Sequence, residues 1–273
     1  MAHERGLTRK PPGVVAELGP GGSLGIGLAA LISGATTYYA FDVVRYASHS
    51  GNRAIFEELV SLFKRREAIP DDGEFPNVKP CLESYAFPSA ILGDDHLEQA
   101  LERGRIEALR NALLNVDQDT VRSGRISYIV PWYDAGLLAE SSVDMIYSQA
   151  VLEHVDDLPF TYQALYRWLK PGGFMSHQID FKCHRTANKW NGHWSYSRLV
   201  WKLIRGNRPY LINREPHSTH IGLLEEFGFE LARDITIKDT SGIKRAELAP
   251  EFRDISDDDL VTSGAFMQAV KRK

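Results

Sequence analysis

Val14-Val15-Ala16-Glu17-Leu18-Gly19-Pro20-Gly21-Gly22-Ser23-Leu24 is the stretch on which the reading of this chain turns. Three apolar residues read as a buried parallel strand, and a glycine-rich turn follows at once. Leu24, Ile26, Leu28, Ala29, Leu31 and Ile32 then carry apolar spacing compatible with a helix packed on a sheet. Strand, turn and helix make the opening half of a βαβ unit, a usual cradle for a nucleotide-like ligand. Glycine suits the turn because a side chain there would block a ligand's approach to the backbone. A second strand, Thr37-Tyr38-Tyr39-Ala40-Phe41, ends in Asp42, where a carboxylate can accept both hydroxyls of a ribose.

The charge pattern narrows the ligand. The dinucleotide fingerprint GxGxxG would place glycine at 24, and Leu24 stands there. Glu17, just ahead of the glycines, would repel a pyrophosphate and suits a ligand carrying an ammonium and a sulfonium. Glu-x-Gly-x-Gly followed by Asp42 resembles motif I and the next acidic loop of class I S-adenosylmethionine-dependent methyltransferases. That resemblance implies S-adenosylmethionine as cofactor. Gly19, Gly21 and Gly22 would form its backbone turn, Glu17 would face its amino end and Asp42 its ribose. Tyr133 and Asp134, placed after the third strand, are candidates for the adenine wall, and Ser148 and Gln149, ending the fourth, complete the expected cofactor set. The bland alternatives are a helix cap or loop carboxylate for Asp42 and ordinary loop residues for Tyr133 and Asp134.

Bulk properties bound the rest. The chain has 273 residues, 43% hydrophobic and 25% charged, enough for one large α/β domain with insertions. Net charge is -4 and no basic block dominates, so nucleic acid is not an expected partner. No apolar run is long enough to span a membrane, and Met1 to Lys10 lack the apolar core of a signal peptide. Cys81 and Cys183 lie far apart and form no metal-type pair, so a cytoplasmic protein with reduced thiols is expected. Oligomeric state stays open.

In chain order, residues 1–13 are a short polar lead, with little room for the helix that many such enzymes place before the first strand. Residues 43–124 are too long for a simple crossover and read as a helical insertion on the main domain. Within them, Ala54 to Arg66 and His96 to Asn115 are amphipathic helices, separated by Pro70-Asp71-Asp72-Gly73 and Pro76. Ile126 to Val130 is a third strand and Ser142 to Ser148 a fourth. A helix from Leu158 to Leu169 ends at Lys170-Pro171-Gly172-Gly173, and a fifth strand runs from Phe174 to Ile179 into Asp180.

"SVDMIYSQAVLEHV", "LKPGG" and "SHQID" extend the resemblance to the type 11 branch of that family. "SHQIDFKCH", "HWSYS" and "LLEEFGF" are similar, more weakly, to members tied to bacterial surface-polysaccharide pathways; Cys183 departs from the acid common there. The resemblance implies a single doubly wound α/β domain over 1–273, a Rossmann-like, mostly parallel seven-stranded sheet. Its antiparallel last hairpin would be Phe229 to Ile237 with Ser263 to Val270.

The implied reaction is methyl transfer to a small-molecule or glycan acceptor, most simply to oxygen, with N- or C-methylation as alternatives. A hydroxyl acceptor calls for a base. His184, Asp180, His154 and His177 border the fourth and fifth strands, where a doubly wound sheet places its ligands. His184 is the favoured base, with Asp180 orienting it or itself serving as base. His177 could instead be a core histidine, and Glu153 and His154 a helix's first turn. Spacing matches no metal motif, so none is expected. Residues 184–216, rich in Trp, Tyr, His and Arg, suit a lid over a sugar, or a helix whose Leu199, Trp201, Leu203 and Ile204 simply pack. A silent cofactor-binding protein and a nicotinamide-dependent Rossmann enzyme are the rival classes.

Overall fold

The structure is a computed structural model that describes residues 2, 6–8, 10–71, 73–74, 80–116, 125–208 and 210–272. In chain order the main elements are β1 (Val14–Leu18), α1 (Gly25–Ile32), β2 (Thr37–Phe41), α2 (His49–Arg65), α3 (Asp94–Ala100) and α4 (Arg103–Leu114). Next come β3 (Ile126–Ile129), β4 (Val143–Gln149), α5 (Leu158–Trp168), β5 (Leu169–Asp180) and α6 (Arg198–Arg205). The chain closes with α7 (His217–Glu226), β6 (Phe229–Lys238), α8 (Asp257–Val261) and β7 (Thr262–Lys271). The seven strands hydrogen-bond in the order β3-β2-β1-β4-β5-β7-β6. β1 pairs with β2 and β2 with β3 in parallel, and β6 pairs antiparallel with β7. This is the seven-stranded, doubly wound sheet expected from the sequence, antiparallel hairpin included.

The chain divides into two compact units, residues 1–147 with 167–174 and residues 148–166 with 175–273. In the first, Leu24, Leu28, Leu31 and Ile32 of α1 pack with Val15, Tyr38 and Ala40 of the strands. Gly27 lets α1 come this close: a Cβ there would lie 2.0 Å from the Tyr38 ring. Phe56 and Val60 of α2 and Ile106, Leu109 and Leu113 of α4 join the same core. The helices between β2 and β3 are therefore part of this unit's main packing.

Two boundaries differ from the sequence reading for local reasons. α2 starts ahead of Ala54 because Ser48 caps it, its hydroxyl accepting the Gly51 N–H at 3.2 Å. The single helix expected over 96–115 is two, since the Glu102 carboxylate starts a new one by accepting the N–H groups of Gly104 and Arg105, each at 2.8 Å. Asp72, Pro76 and Gly124 lie outside the described residues.

The Lys170-Pro171-Gly172-Gly173 stop ends α5, as expected, but the structure counts it as the first part of β5. Gly172 has φ +79°, and a Cβ on Gly173 would meet the Lys170 and Asp144 carbonyls at 2.9 and 3.1 Å. Asp144 ties the neighbouring strands by accepting the Val14 N–H at 2.7 Å and the Lys170 ammonium at 2.6 Å.

In the second unit the β6–β7 hairpin runs in register from Phe229↔Lys271 to Lys238↔Thr262, with two bulges. A smaller core forms from Trp194, Ile243 and Leu248, with Trp190, Phe252, Ile255 and Leu260 packed against it. Among the described residues no helix is long and apolar enough to cross a membrane.

Candidate active site

The first unit holds the glycine turn. Gly19 and Gly21 adopt φ +63° and +65°, the left-handed region that favours glycine. The Gly19 N–H donates to the Phe41 carbonyl at 2.8 Å, fixing the turn to the end of β2. A Cβ on Gly21 or Gly22 would meet nothing within 4 Å, so both α-carbons face open space. Asn52 of α2 accepts the Leu24 N–H at 2.8 Å and so positions the start of α1. Asp42 is buried at the end of β2, where its carboxylate accepts the Val43 N–H at 2.7 Å. An open glycine turn beside a buried strand-end carboxylate fits S-adenosylmethionine. Gly19, Gly21, Gly22 and Asp42 would hold it.

Glu17 has unexpected partners. It is only 5% exposed, and its Oε2 accepts hydrogen bonds from the Tyr38 hydroxyl and, at 3.2 Å, from the Tyr147 hydroxyl. Burial pushes its carboxyl up to about 7 against the opposing effect of the two phenols, with Asp42 adding to the rise. Nothing in the local pattern marks Tyr38 or Tyr147 as its partners. Tyr133 is exposed, and Asp134 accepts the Gly136 N–H at 2.7 Å as the cap of a 3-10 turn. Phe41 and Trp168 stack with centroids 4.8 Å apart, and the Trp132 ring is tilted against both.

The second unit gathers most of the proposed catalytic groups. Asp180, the last residue of β5, lies 3.4 Å through Oδ2 from His184 Nε2. Its Oδ1 accepts the Lys182 N–H at 3.0 Å. Burial raises the Asp180 carboxyl, but His184 and Lys182 outweigh it, and the net shift is downward. His184 is shifted upward, chiefly by Asp180. It stands at φ +45° and Arg185 at +67°, two successive side chains in a conformation they rarely adopt.

His154 lies beside them, its ring centroid 5.0 Å from that of His184. Its Nδ1 is 2.7 Å from the Tyr210 carbonyl oxygen. A carbonyl only accepts, so Nδ1 carries the proton and Nε2 keeps its lone pair. Burial lowers the His154 pKa, and the neighbouring His184 adds to the effect. Glu153 is 3% exposed, and no donor reaches either carboxyl oxygen in hydrogen-bond geometry, although the Glu153 and Asp180 amides face it. Burial pushes this carboxyl up to about 8, with Asp180 contributing. Sequence reasoning treated Glu153 only as a possible helix start.

His177 stands apart from this group. It is buried within β5, three residues short of the strand's end, with Nδ1 2.7 Å from the buried Ser148 hydroxyl and no partner for Nε2. Burial lowers its pKa to about 3, so the ring is neutral. Ser148 thus engages a core histidine, while Gln149 at the end of β4 is exposed. In the 184–216 segment Trp194 is fully buried and donates to the Arg214 carbonyl at 2.9 Å. Arg214 is packed 4.8 Å from the centroids of both Trp201 and Phe252. Trp201 is buried, as packing of α6 requires, but Leu199 and Leu203 are 70% and 75% exposed.

Residues 103–176 match the family model of the type 11 methyltransferase domain. The match supports an S-adenosylmethionine-dependent methyltransferase, and the sheet order and the glycine turn are consistent with it. S-adenosylmethionine is the cofactor that this match supports, and nothing in it favours a nicotinamide cofactor. No curated protein matches the sequence.

Solved structures resemble it loosely. One is an S-adenosylmethionine-dependent methyltransferase from Mesorhizobium loti, 14% identical with a TM-score of 0.46, covering 97% of this chain and 94% of that one. Another is a methyltransferase of the same kind from Methanosarcina mazei, 13% identical with a TM-score of 0.48, covering 100% and 98%. A third is phosphoethanolamine N-methyltransferase 2 of Haemonchus contortus in complex with S-adenosyl-L-methionine, 16% identical with a TM-score of 0.45, covering 97% and 50%. Likenesses this loose carry no role across to this chain.

Proposed function

We propose that the chain methylates a hydroxyl of a small-molecule or glycan acceptor in the cytoplasm, with His184 taking the proton and Asp180 orienting its ring. The observation that supports this is the Asp180–His184 pair at the end of β5, a carboxylate 3.4 Å from an imidazole nitrogen. S-adenosylmethionine supplies a methyl group on a sulfonium. The protein's own contributions are positioning and proton removal. Gly19, Gly21 and Gly22 would admit the cofactor to the backbone and Asp42 would accept the ribose hydroxyls, while Glu17 accepts hydrogen bonds from the Tyr38 and Tyr147 hydroxyls. Orientation of the reacting groups is worth roughly 7–11 kcal/mol, and a positioned base about 10²–10⁴-fold in rate.

The test is methyl transfer from labelled S-adenosylmethionine to a panel of sugars, phenols and amines, with the methylated atom read by NMR. Label on oxygen supports the reading. Label on nitrogen or carbon alone removes it, leaving the methyltransferase itself in place.

A further inference from the structure

Glu153, His154 and His184 converge although thirty residues separate His154 from His184 in the chain, which is why no spacing motif announces them. One ligand atom from each lies within 4.8 Å of the others. Donors about 2 Å from one zinc ion lie roughly 3–4 Å apart, so small side-chain rotations bring these three to an ion. Three separate features prepare them. Glu153 is buried with both oxygens lacking a hydrogen-bond partner, a costly arrangement for a carboxyl unless something cationic is to face it. His154 gives its Nδ1 proton to the Tyr210 carbonyl, which orients the ring and leaves Nε2 as the ligand nitrogen. His184 has Asp180 at Nε2, the carboxylate–histidine pairing that supports a metal-bound imidazole and leaves Nδ1 to bind.

We propose that Glu153, His154 and His184 form a binding site for a divalent first-row transition ion, with Asp180 and the Tyr210 carbonyl orienting the two imidazoles. Two histidines and one glutamate are a zinc-type donor set that leaves a coordination position open. Resting on the proposed reading, that position would receive the acceptor's hydroxyl, and the ion would lower its pKa so that the proton passes to water. A ligated His184 no longer takes the proton, so the base role belongs to the metal-free chain. The earlier expectation of no metal rested on sequence spacing alone.

The site can be tested without cofactor or acceptor. Chelator-treated full-length protein is titrated with Zn²⁺ by calorimetry, and melting is followed with and without the ion. One equivalent should bind, and bound ion should raise the melting temperature. Glu153→Gln and His154→Ala should each weaken binding at least 100-fold and lose the thermal shift, and Asp180→Asn should weaken it about 10–100-fold. Cys81→Ser, which alters an exposed thiol, should bind like the wild type. If one variant fails to melt cooperatively, the others carry the comparison. Equal binding by wild type and all three site variants, or no binding by the wild type at 100-fold excess, overturns the proposal. A bound ion without methylation of any acceptor would instead count against the proposed function.

Discussion

Two buried glutamates, one in each unit, face the same difficulty and meet it differently. Glu17 and Glu153 are 5% and 3% exposed, and burial raises their carboxyls to about 7 and about 8. Glu17 has two phenol donors on one oxygen, so its burial is compensated within the fold. Glu153 has no such donor, and imidazoles stand beside it. A compensated carboxyl holds neighbouring elements in register. An uncompensated one beside ligating groups is a place for chemistry, because its cost is recovered only when a cation or substrate arrives.

Four outcomes would sharpen or break this contrast. The largest effect is expected at His184: in the metal-free chain, alanine should lower single-turnover methyl transfer by about 10²–10⁴-fold with cofactor affinity unchanged. A wild-type rate would remove the cluster from the reaction. Next is Glu17, whose folded pKa is raised. Its stabilising contribution is complete below pH 4.5 and is lost as pH rises through about 7. The stability difference between wild type and Glu17→Gln should therefore shift against the wild type by about 2–3 kcal/mol across that window, followed by urea melts at several pH values. A difference that stays flat would mean that Glu17 ionises as freely as a surface acid.

Third is the glycine turn. Gly22 is the cleaner probe, because it has no left-handed φ and open space ahead of its Cβ, whereas Gly21 at φ +65° would add backbone strain. Gly22→Leu should keep the melting temperature and weaken S-adenosylmethionine by about 10–100-fold, or 1.4–2.7 kcal/mol. Undiminished calorimetric affinity would show that the turn does not face the cofactor. The smallest effect belongs to Tyr38→Phe, which removes one of Glu17's two donors and should cost about 1–2 kcal/mol of stability. No loss would place the whole burden on Tyr147.

What the sequence revealed tracks how local each signal is. The strand, glycine turn and helix from Val14 to Ile32 and the strand to Phe41 follow from short-range periodicity, and the structure reproduces them. The last hairpin was implied by the family resemblance and by no alternation of its own, and the structure pairs Phe229–Lys238 with Thr262–Lys271. The break between α3 and α4 was hidden because Glu102 looks like any helical surface residue until its carboxylate is seen capping. Long-range partners were illegible for a deeper reason. Tyr147 reaches Glu17 across 130 residues, and Glu153 meets His184 only because β4 and β5 end together. No window of sequence contains both members of either pair. Gly27 had a readable identity but an unreadable purpose, since its need arises from the Tyr38 ring above it.

Asp144 has a consequence for how the chain is made. It accepts the N–H of Val14 across 130 residues and the ammonium of Lys170 across 26. On the ribosome β1 meets β2 as soon as the chain through Phe41 emerges, yet its second edge has no neighbour until β4 appears. At roughly 5–20 residues per second, that edge is left open for about 5–20 s. A nascent chain stalled before Asp144 would present β1 with one edge unpaired, an invitation to chaperones and to aggregation alike.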